Sequence, residues 1–228
     1  MRILSLTAIF LITTVTAAIG LSKPHHWDIA RTYLSDVLPA SATAAQSQGV
    51  PTTEWSNALI SAARAQIGVT TLYDGSYQGL SYPGGDIPRE RGVCTDVLIR
   101  ALRDAHAVDL QKLVHEDMRA AFSHYPKNWG LSRPDRNIDH RRVPNLRRFF
   151  KRRGMALPQP NDQTTFLPGD IVTWTLGPGL PHIGIVSEQL VPGTTRPYIV
   201  HNVGAGTRHE DFLLSHPMTG HYRLDGKL

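Results

Sequence analysis

Cysteine is almost absent from this chain, since Cys94 is the only one among its 228 residues. A single thiol excludes an internal disulfide. It leaves four roles for Cys94: a buried apolar residue, an intermolecular partner, a reactive group, or one ligand of a metal site built mostly from histidine. The composition also excludes a disordered chain, a collagen and a coiled coil, and no internal repeat is present.

The common zinc motifs are missing as well. Neither an HExxH nor a CxxC spacing occurs in the sequence, so we expect no metal and no cofactor. Several acidic and histidine side chains could act as ligands by residue type alone, but we interpret them as polar contacts between a helix and a loop: His115, Glu116, Asp117, Asp139 and His140.

Basic residues are concentrated in one segment. The formal net charge of the chain is +5, yet RRVPNLRRFFKRRG (141–154) alone holds seven Lys and Arg residues and no acid. The rest of the chain is therefore slightly acidic, and we predict no nucleic-acid partner. A solvated helix face, with Phe149 and Phe150 packed inward, is the simplest interpretation. The alternative is attraction to anionic wall polymers or phospholipid headgroups, with Arg141 or Arg142 binding a substrate carboxylate.

The N-terminus has the pattern of a secretory signal. Arg2 precedes an apolar run over residues 3–21, which ends in small residues. We interpret residues 1–21 as a signal peptide, with an uncleaved N-terminal membrane anchor as the alternative. Both imply export to the periplasm or the cell envelope. Residues 22–51 then form a linker, and residues 52–228 form the folded domain.

Predicted helices come first in the mature chain and predicted strands come later. Apolar periodicity indicates helices over 52–68, 94–107, 108–122 and the basic segment 141–154. Short β-branched or aromatic runs indicate strands over 170–176, 182–187, 198–203 and 221–224. The turn-rich segment 71–92 is predicted to be a long ordered loop. This order predicts an α+β fold in which N-terminal helices pack on a C-terminal antiparallel sheet.

Cys94 is placed in the first turn of its predicted helix. Free backbone N–H groups and the helix dipole stabilise an anion there, so we expect the thiol pKa to be lowered, with Asp96 opposing this effect. Free thiols outside the cytoplasm are prone to oxidation, so a single thiol in an exported chain requires burial or a function. From these residues alone, a small apolar side chain packed under the helix and a reactive thiolate both stay open.

A reactive thiolate needs a base, and His182 is the best-placed histidine. It begins a predicted strand and is followed by Gly184, which leaves room beside the imidazole. A hairpin turn centred on residues 192–193 would place residue 182 opposite residue 203, so that His201 shares a sheet face with His182. His201 is then favoured to orient the base, whereas a slip of one residue would present Asn202 instead. Unrelated polar strand residues are the alternative.

The same residues resemble a known family. The pattern LPGDIVTW, HIGIV and YIVHN downstream of a cysteine is similar to the NlpC/P60 superfamily of papain-like cysteine peptidases. A closer resemblance is to DUF1287, a bacterial family related to that superfamily. It extends over roughly residues 70–223 and is carried by these strings: YPGGD, RGVCTDVLIRALRDA, DLQKLVHEDM, NIDHRRVPNL, PGDIVTW, HIGIVS, HNVGAGT and GHYR.

The resemblance implies a papain-like fold with Cys94 as nucleophile, His182 as general base and acid, and His201 in the third polar position. Tyr82 matches a tyrosine that lines the site in NlpC/P60 enzymes. The implied activity is cleavage of an amide bond, with peptidoglycan stem peptides or another envelope peptide as substrate. This chain departs from the superfamily where Val93 replaces an aspartate before the cysteine. A non-catalytic envelope-binding module and a thioester-forming acyltransferase are the alternatives.

Overall fold

The computed structural model describes residues 50–158, 165–177 and 179–228. The predicted signal peptide or anchor (1–21) and nearly all of the predicted linker (22–51) lie outside these ranges. Within them, no helix combines the length and apolar character needed to cross a bilayer.

Four helices form the first layer of the fold, and each lies within a predicted helical segment: α1 (Glu54–Arg64), α2 (Cys94–His106), α3 (Leu110–Ala121) and α4 (Val143–Arg152). Side-chain caps fix two of the starts. Thr53 Oγ1 accepts the Ser56 N–H at 3.1 Å, and Asp109 accepts the N–H groups of Gln111 and Lys112. The first helix ends before the predicted residue 68, because the chain turns after Arg64. Short 3₁₀ turns span Phe122–His124 and Asp139–Arg141.

Six strands form one antiparallel sheet: β3 (Ala156–Leu157), β4 (Ile171–Leu176), β5 (Leu180–Leu190), β6 (Pro197–Asn202), β7 (Thr207–Glu210) and β8 (Met218–Tyr222). Their order across the sheet is β3-β8-β4-β5-β6-β7. Ile185 pairs with Val200, so the register of β5 and β6 is the one that places residue 182 opposite residue 203. The predicted α+β class, with N-terminal helices packed on a C-terminal antiparallel sheet, is confirmed.

The sequence missed the shortest strands. Besides β3 and β7, two parallel strands of two residues each, β1 (Leu72–Tyr73) and β2 (Arg91–Gly92), tie the two ends of the predicted loop together. Elements of two residues carry no periodicity, and the polar run of β7 does not resemble a half-buried strand. These strands nevertheless matter, because they place residues at the candidate site.

The sheet separates two apolar clusters. On the helix side, Ile183, Ile185 and Val200 pack with Leu98 and Cys94 of α2. On the opposite face a second cluster is formed by Phe166, Val172, Trp174, Val186, Ile199, Phe212 and Leu213. Because side chains alternate along a strand, neighbouring residues of β5 contribute to different clusters.

A buried carboxylate fixes the start of β4. Asp170 is 1% exposed and accepts hydrogen bonds from His221 Nε2 at 2.7 Å, from Arg223 at 2.7 and 2.8 Å, and from the Leu167 N–H at 2.9 Å. Burial raises the pKa of Asp170, but the hydrogen bonds from His221 and Arg223 outweigh it, and the pKa lies below its usual value. The ionised carboxylate therefore stabilises the junction of β4 and β8.

We expect Asp170→Asn to lower the free energy of unfolding by about 3 kcal/mol, since one partner of a buried charged network is removed. Urea unfolding at pH 7 measures this loss. The depressed pKa means that the carboxylate stabilises the fold above its unfolded pKa, and that this contribution is lost as the pH falls through the folded pKa. The difference between the two proteins should therefore shrink in acid.

Asp211→Asn is the matched control, because Asp211 also pairs with an arginine, Arg196, but on the exposed edge of the molecule. Asp211→Asn should lower the free energy of unfolding by less than about 1 kcal/mol. Equal losses in the two variants would contradict the role assigned to burial at Asp170.

Candidate active site

Cys94 is the first residue of α2, as predicted, and lies where the helix meets β5. Its side chain is 5% exposed. The backbone N–H groups of Ile183, Thr95 and Cys94 itself are directed at the sulfur. The first N–H groups of a helix have no carbonyl partner within the helix, so the helix start offers hydrogen-bond donors to an anion at this point.

The sulfur faces a cleft of about 410 Å³. Aromatic rings, prolines and two arginines form much of its wall: Tyr73, Tyr77, Trp129, Arg141, Arg142, Pro144 and Pro181. Arg142 lies over the Trp129 ring at 4.0 Å and donates to Asp139 at 3.0 Å. The cleft is thus concave and largely apolar with few polar groups, which is the usual character of a small-ligand site.

The pKa of the thiol is raised and not lowered. Burial raises the pKa of Cys94 to about 12, and the charge of Asp96 adds to this effect, while the three backbone N–H groups oppose it. The predicted lowering by the helix start is therefore wrong for this structure, because desolvation by the surrounding core outweighs the helix start. Cys94 is a neutral thiol at neutral pH.

A buried ion pair holds the helix start in place. Asp96 accepts from Arg141 Nε and Nη2, both at 2.9 Å, and from the Val93 N–H at 2.7 Å. Arg141 also donates to the carbonyls of Asp74 and Ser76. Both predicted arginines thus border the cleft, but the guanidinium of Arg141 is occupied and cannot serve as the predicted carboxylate ligand.

Asn202 lies on the helix side of the sheet and acts on the segment before Cys94. Its Nδ2 donates to the Gly92 carbonyl at 3.1 Å, and its Oδ1 accepts the Gly204 N–H at 3.1 Å. Asn202 therefore positions the backbone that leads into α2. It does not share a sheet face with His182.

The tyrosine beside the sulfur is Tyr73. It pairs with Gly92 in the β1–β2 ladder, and its hydroxyl lies close enough to Cys94 for the thiol to affect its ionisation. Burial, followed by the charges of Cys94 and Asp96, raises the pKa of Tyr73 to about 12, so the hydroxyl stays a donor. The predicted Tyr82 lies outside the cleft, where it contacts His115 and Arg136. The sequence offered no signal that separates the two tyrosines, since two-residue strands place Tyr73.

A hydrogen-bonded chain of three side chains lies on the other face of the sheet. His182 Nε2 is 2.7 Å from His201 Nδ1, and His201 Nε2 is 3.2 Å from Glu210 Oε2. The pairing of the two histidines confirms the predicted register. Gly184 is required beside them, because a Cβ there would lie 2.6 Å from Ile199 Cγ2. Glu210 was missed, since it follows in the unpredicted β7.

The hydrogen bonds among these three side chains determine which ring nitrogen of each histidine carries the proton. A carboxylate can only accept, so His201 carries its proton on Nε2 and accepts at Nδ1. His182 then donates from Nε2, which leaves its Nδ1 unprotonated. Burial, followed by the charges of His201 and His216, lowers the pKa of His182 to about 3. His182 is therefore a neutral imidazole whose Nδ1 carries no proton and makes no hydrogen bond to the residues that the structure describes.

Cys94 contacts the part of β5 that carries His182, but among the described residues no hydrogen bond joins the thiol to the imidazole. Ile183 offers its N–H to the sulfur and Pro181 borders the cleft, so both neighbours of His182 lie at the site. The ring itself leaves β5 on the opposite face, where it packs with Trp174 and Phe212. No hydrogen bond in the described part of the chain joins Cys94 Sγ to His182, so the predicted thiol–imidazole contact is absent from this structure.

Possible metal ligands do not gather into a site within the part of the chain that the structure describes. Across residues 50–158, 165–177 and 179–228, no group of three or more His, Cys, Asp or Glu side chains is arranged to hold a metal ion. Asp139, which the sequence analysis interpreted as a bracing residue, contacts Arg142 and Asn145, and Asp117 contacts Tyr125 and Arg152.

Comparison with known proteins places the chain among relatives without an assigned activity. Residues 60–224 match a family model described as "Domain of unknown function (DUF1287)". The chain is 54% identical over 166 residues to "Uncharacterized protein YijF" of Escherichia coli (strain K12), an alignment that covers 73% of this chain and 80% of that protein. It is also similar to the structure of NlpC2 from Trichomonas vaginalis, with 14% identity and a TM-score of 0.35 over 75% of this chain and 50% of that chain, so it spans about half of that protein.

The raised thiol pKa predicts slow alkylation. We expect iodoacetamide to modify Cys94 at pH 7 roughly a thousandfold more slowly than an ordinary cysteine, because each unit of pKa lowers the thiolate fraction tenfold. Mass spectrometry of the intact protein measures the rate, and the same protein in urea serves as the reference thiol. Rapid modification of the folded protein below pH 8 would contradict this expectation.

The lowered pKa of His182 predicts a loss of stability in mild acid. As the pH falls from about 6.5 towards 3, the unfolded chain binds a proton at residue 182 before the folded chain does, so the free energy of unfolding falls by about 1.4 kcal/mol per pH unit from this group. Urea unfolding between pH 4 and pH 6 should show a smaller slope for His182→Gln than for the parent. Equal slopes would mean that the folded imidazole is protonated as readily as the unfolded one.

Proposed function

The chain belongs to the DUF1287 family, as its sequence predicts, and from this premise we propose that it is an exported cysteine hydrolase that cleaves an amide bond in a cell-envelope peptide. One observation supports this best. The hydrogen-bonded side chains Glu210, His201 and His182 end at the residue of β5 next to Ile183, and the Ile183 N–H lies at the Cys94 sulfur. Strand β5 thus connects the nucleophile, on the cleft side of the sheet, to a base and its orienting groups on the opposite side.

The proposed reaction starts from a neutral pair. Because the thiol pKa is raised and the imidazole pKa is lowered, the resting site holds Cys94 as S–H and His182 as the unprotonated base. For this step the His182 ring has to turn from the opposite face of the sheet towards Cys94 when a ligand fills the cleft. Its Nδ1 then accepts the thiol proton while the sulfur attacks the amide carbonyl. Catalytic hydrogen bonds are often formed only in the complex with substrate, and the proposed reaction depends on such a rearrangement at His182.

The later steps use the same groups. The tetrahedral oxyanion is stabilised by the free N–H groups at the start of α2 and by the Tyr73 hydroxyl, which donates. The carbon–nitrogen bond breaks as His182 returns its proton to the leaving amine, which leaves a thioester on Cys94. Water then attacks the thioester with His182 as base, and the products are a carboxylic acid and the free thiol. His201 and Glu210 act as positioning residues by holding the His182 tautomer.

The cleft supports a peptide as ligand. Tyr77, Trp129 and the prolines offer apolar and aromatic walls, and Arg142 leaves some of its N–H groups free after pairing with Asp139. These N–H groups suit a ligand carboxylate. Peptidoglycan stem peptides combine amide bonds with such carboxylates, so they are the proposed substrate class.

A second candidate function is a non-catalytic module that binds envelope fragments. The absence of a hydrogen bond between Cys94 and His182 in the described residues, together with the high thiol pKa, favours it. Such a module would use the aromatic cleft without the thiol, and its affinity would not depend on His182.

We expect Cys94→Ala and His182→Ala each to lower the release of soluble fragments from purified peptidoglycan by at least about a hundredfold, because the nucleophile or its base is lost. Chromatography and mass spectrometry of the digest measure both the rate and the bond cleaved. Retained binding of wall fragments by the two inactive variants would locate their defect in the chemical step.

His209→Ala is the matched control for His182→Ala. His209 lies on β7, where it packs on the Tyr198 ring and has no part in the chain of three side chains. Its replacement should leave the rate within about twofold of the parent. Equal fragment release by the parent and by Cys94→Ala would exclude the thiol mechanism and leave the binding module.

A further inference from the structure

A second concave site lies beside the cleft. It has a volume of about 290 Å³ and is lined by Pro126, Pro144, Arg147, Arg148, Lys151 and Tyr222. We refer to these six residues as the basic pocket. Three of them carry a positive charge, and none carries a negative charge.

The charges of the three cations are not balanced by ion pairs within the part of the chain that the structure describes. Elsewhere on and beside α4, Arg142 pairs with Asp139 and Arg152 pairs with Asp117. Among the residues that the structure describes, no carboxylate forms an ion pair with the three cations of the basic pocket. Arg147 instead donates to the Thr219 carbonyl at 2.7 Å, which fixes its guanidinium and leaves other N–H groups free. Uncompensated cations held around a concavity favour an external anion.

The basic pocket adjoins the cleft. Pro144 at the start of α4 lines both of them, with Cys94 among the other residues of the cleft and Arg147 and Arg148 among those of the basic pocket. An elongated ligand that passes over Pro144 would reach both. The cleft then holds the apolar and reacting part of the ligand, and the basic pocket holds a charged part.

We propose that the basic pocket binds a phosphate or diphosphate group of the ligand whose remainder lies in the Cys94 cleft, an inference that rests on the proposed function and adds a charged subsite to it. A single carboxylate needs one arginine, whereas three unpaired cations match a group with about two negative charges and several acceptor oxygens. Planar guanidinium groups donate in pairs to such oxygens, and the Lys151 ammonium contributes a third point of contact.

Titration calorimetry of the full-length Cys94→Ala protein with inorganic diphosphate tests the subsite. This protein cannot perform thiol chemistry, so the result is independent of whether the chain is a hydrolase. We expect saturable binding of one diphosphate per chain. The double variant Arg148→Glu, Lys151→Glu should weaken it by at least about tenfold, since two contacts with the anion become repulsive.

Arg153→Glu is the matched control, because Arg153 follows the same helix but lies over the Phe149 ring and does not line the basic pocket. The diphosphate affinity of this control, normalised to the same change in net charge, should stay within about twofold of that of the protein without the substitution at an ionic strength of about 0.15 M. No saturable binding below about 10 mM, or an equal loss in this control, would overturn the proposal.

Sedimentation with phosphatidylglycerol vesicles distinguishes the sources of the phosphate. If the parent sediments and the double variant does not, the result supports a lipid headgroup as the carrier. If diphosphate binds but neither protein sediments, the result supports a soluble or wall-bound phosphate ester.

Discussion

The buried ion pair between Asp96 and Arg141 is the contact on which the geometry of the site depends. It joins three segments that are distant in sequence: the start of α2, the loop at residues 74–76, and the 3₁₀ turn that leads into α4. Both side chains are almost completely buried, with exposures of 3% and 4%. A buried pair of this kind adds little net stability compared with apolar packing, but it allows only one arrangement of the groups around it. The cost of that arrangement is electrostatic, because the carboxylate lies in the same helical turn as the thiol and disfavours its ionisation.

The sheet separates the two halves of the proposed chemistry. Its helix side supplies the sulfur, the backbone donors and Asn202, while its other side supplies His182, His201 and Glu210. Burial acts on both halves, and it disfavours the charged form in each case: it raises the pKa of the thiol and lowers the pKa of the imidazole. A preformed thiolate–imidazolium pair is thereby replaced by a neutral pair, and the driving force for proton transfer has to come from the ligand. The two candidate functions therefore differ in one respect: in a hydrolase, ligand binding in the cleft has to drive proton transfer from Cys94 to His182, whereas in a binding module it does not.

Much of this fold was readable from local patterns. Helical periodicity located α1 to α4. The hairpin turn centred on residues 192–193 predicted the register of β5 and β6, and period-two alternation then placed His182 and His201 on one face. The features that the sequence did not predict depend on contacts between segments that are distant along the chain. Tyr73 reaches the sulfur through a ladder that joins residues 72–73 to residues 91–92, and no local signal favours it over Tyr82. Glu210 is contributed by a polar strand without alternation. The thiol pKa could not be deduced from the helix start, because β5 and the core determine the burial of Cys94, and their positions are not encoded near residue 94.

The protonated state of the single cysteine has a chemical consequence for a protein exported as proposed. Peroxides and disulfides react with the thiolate and hardly at all with the thiol, so a sulfur with a pKa near 12 forms sulfenic acid and mixed disulfides slowly. The core around Cys94 therefore protects it in an oxidising compartment without any reductase. Oxidation of Cys94 should become fast only where ligand binding or local opening exposes the sulfur.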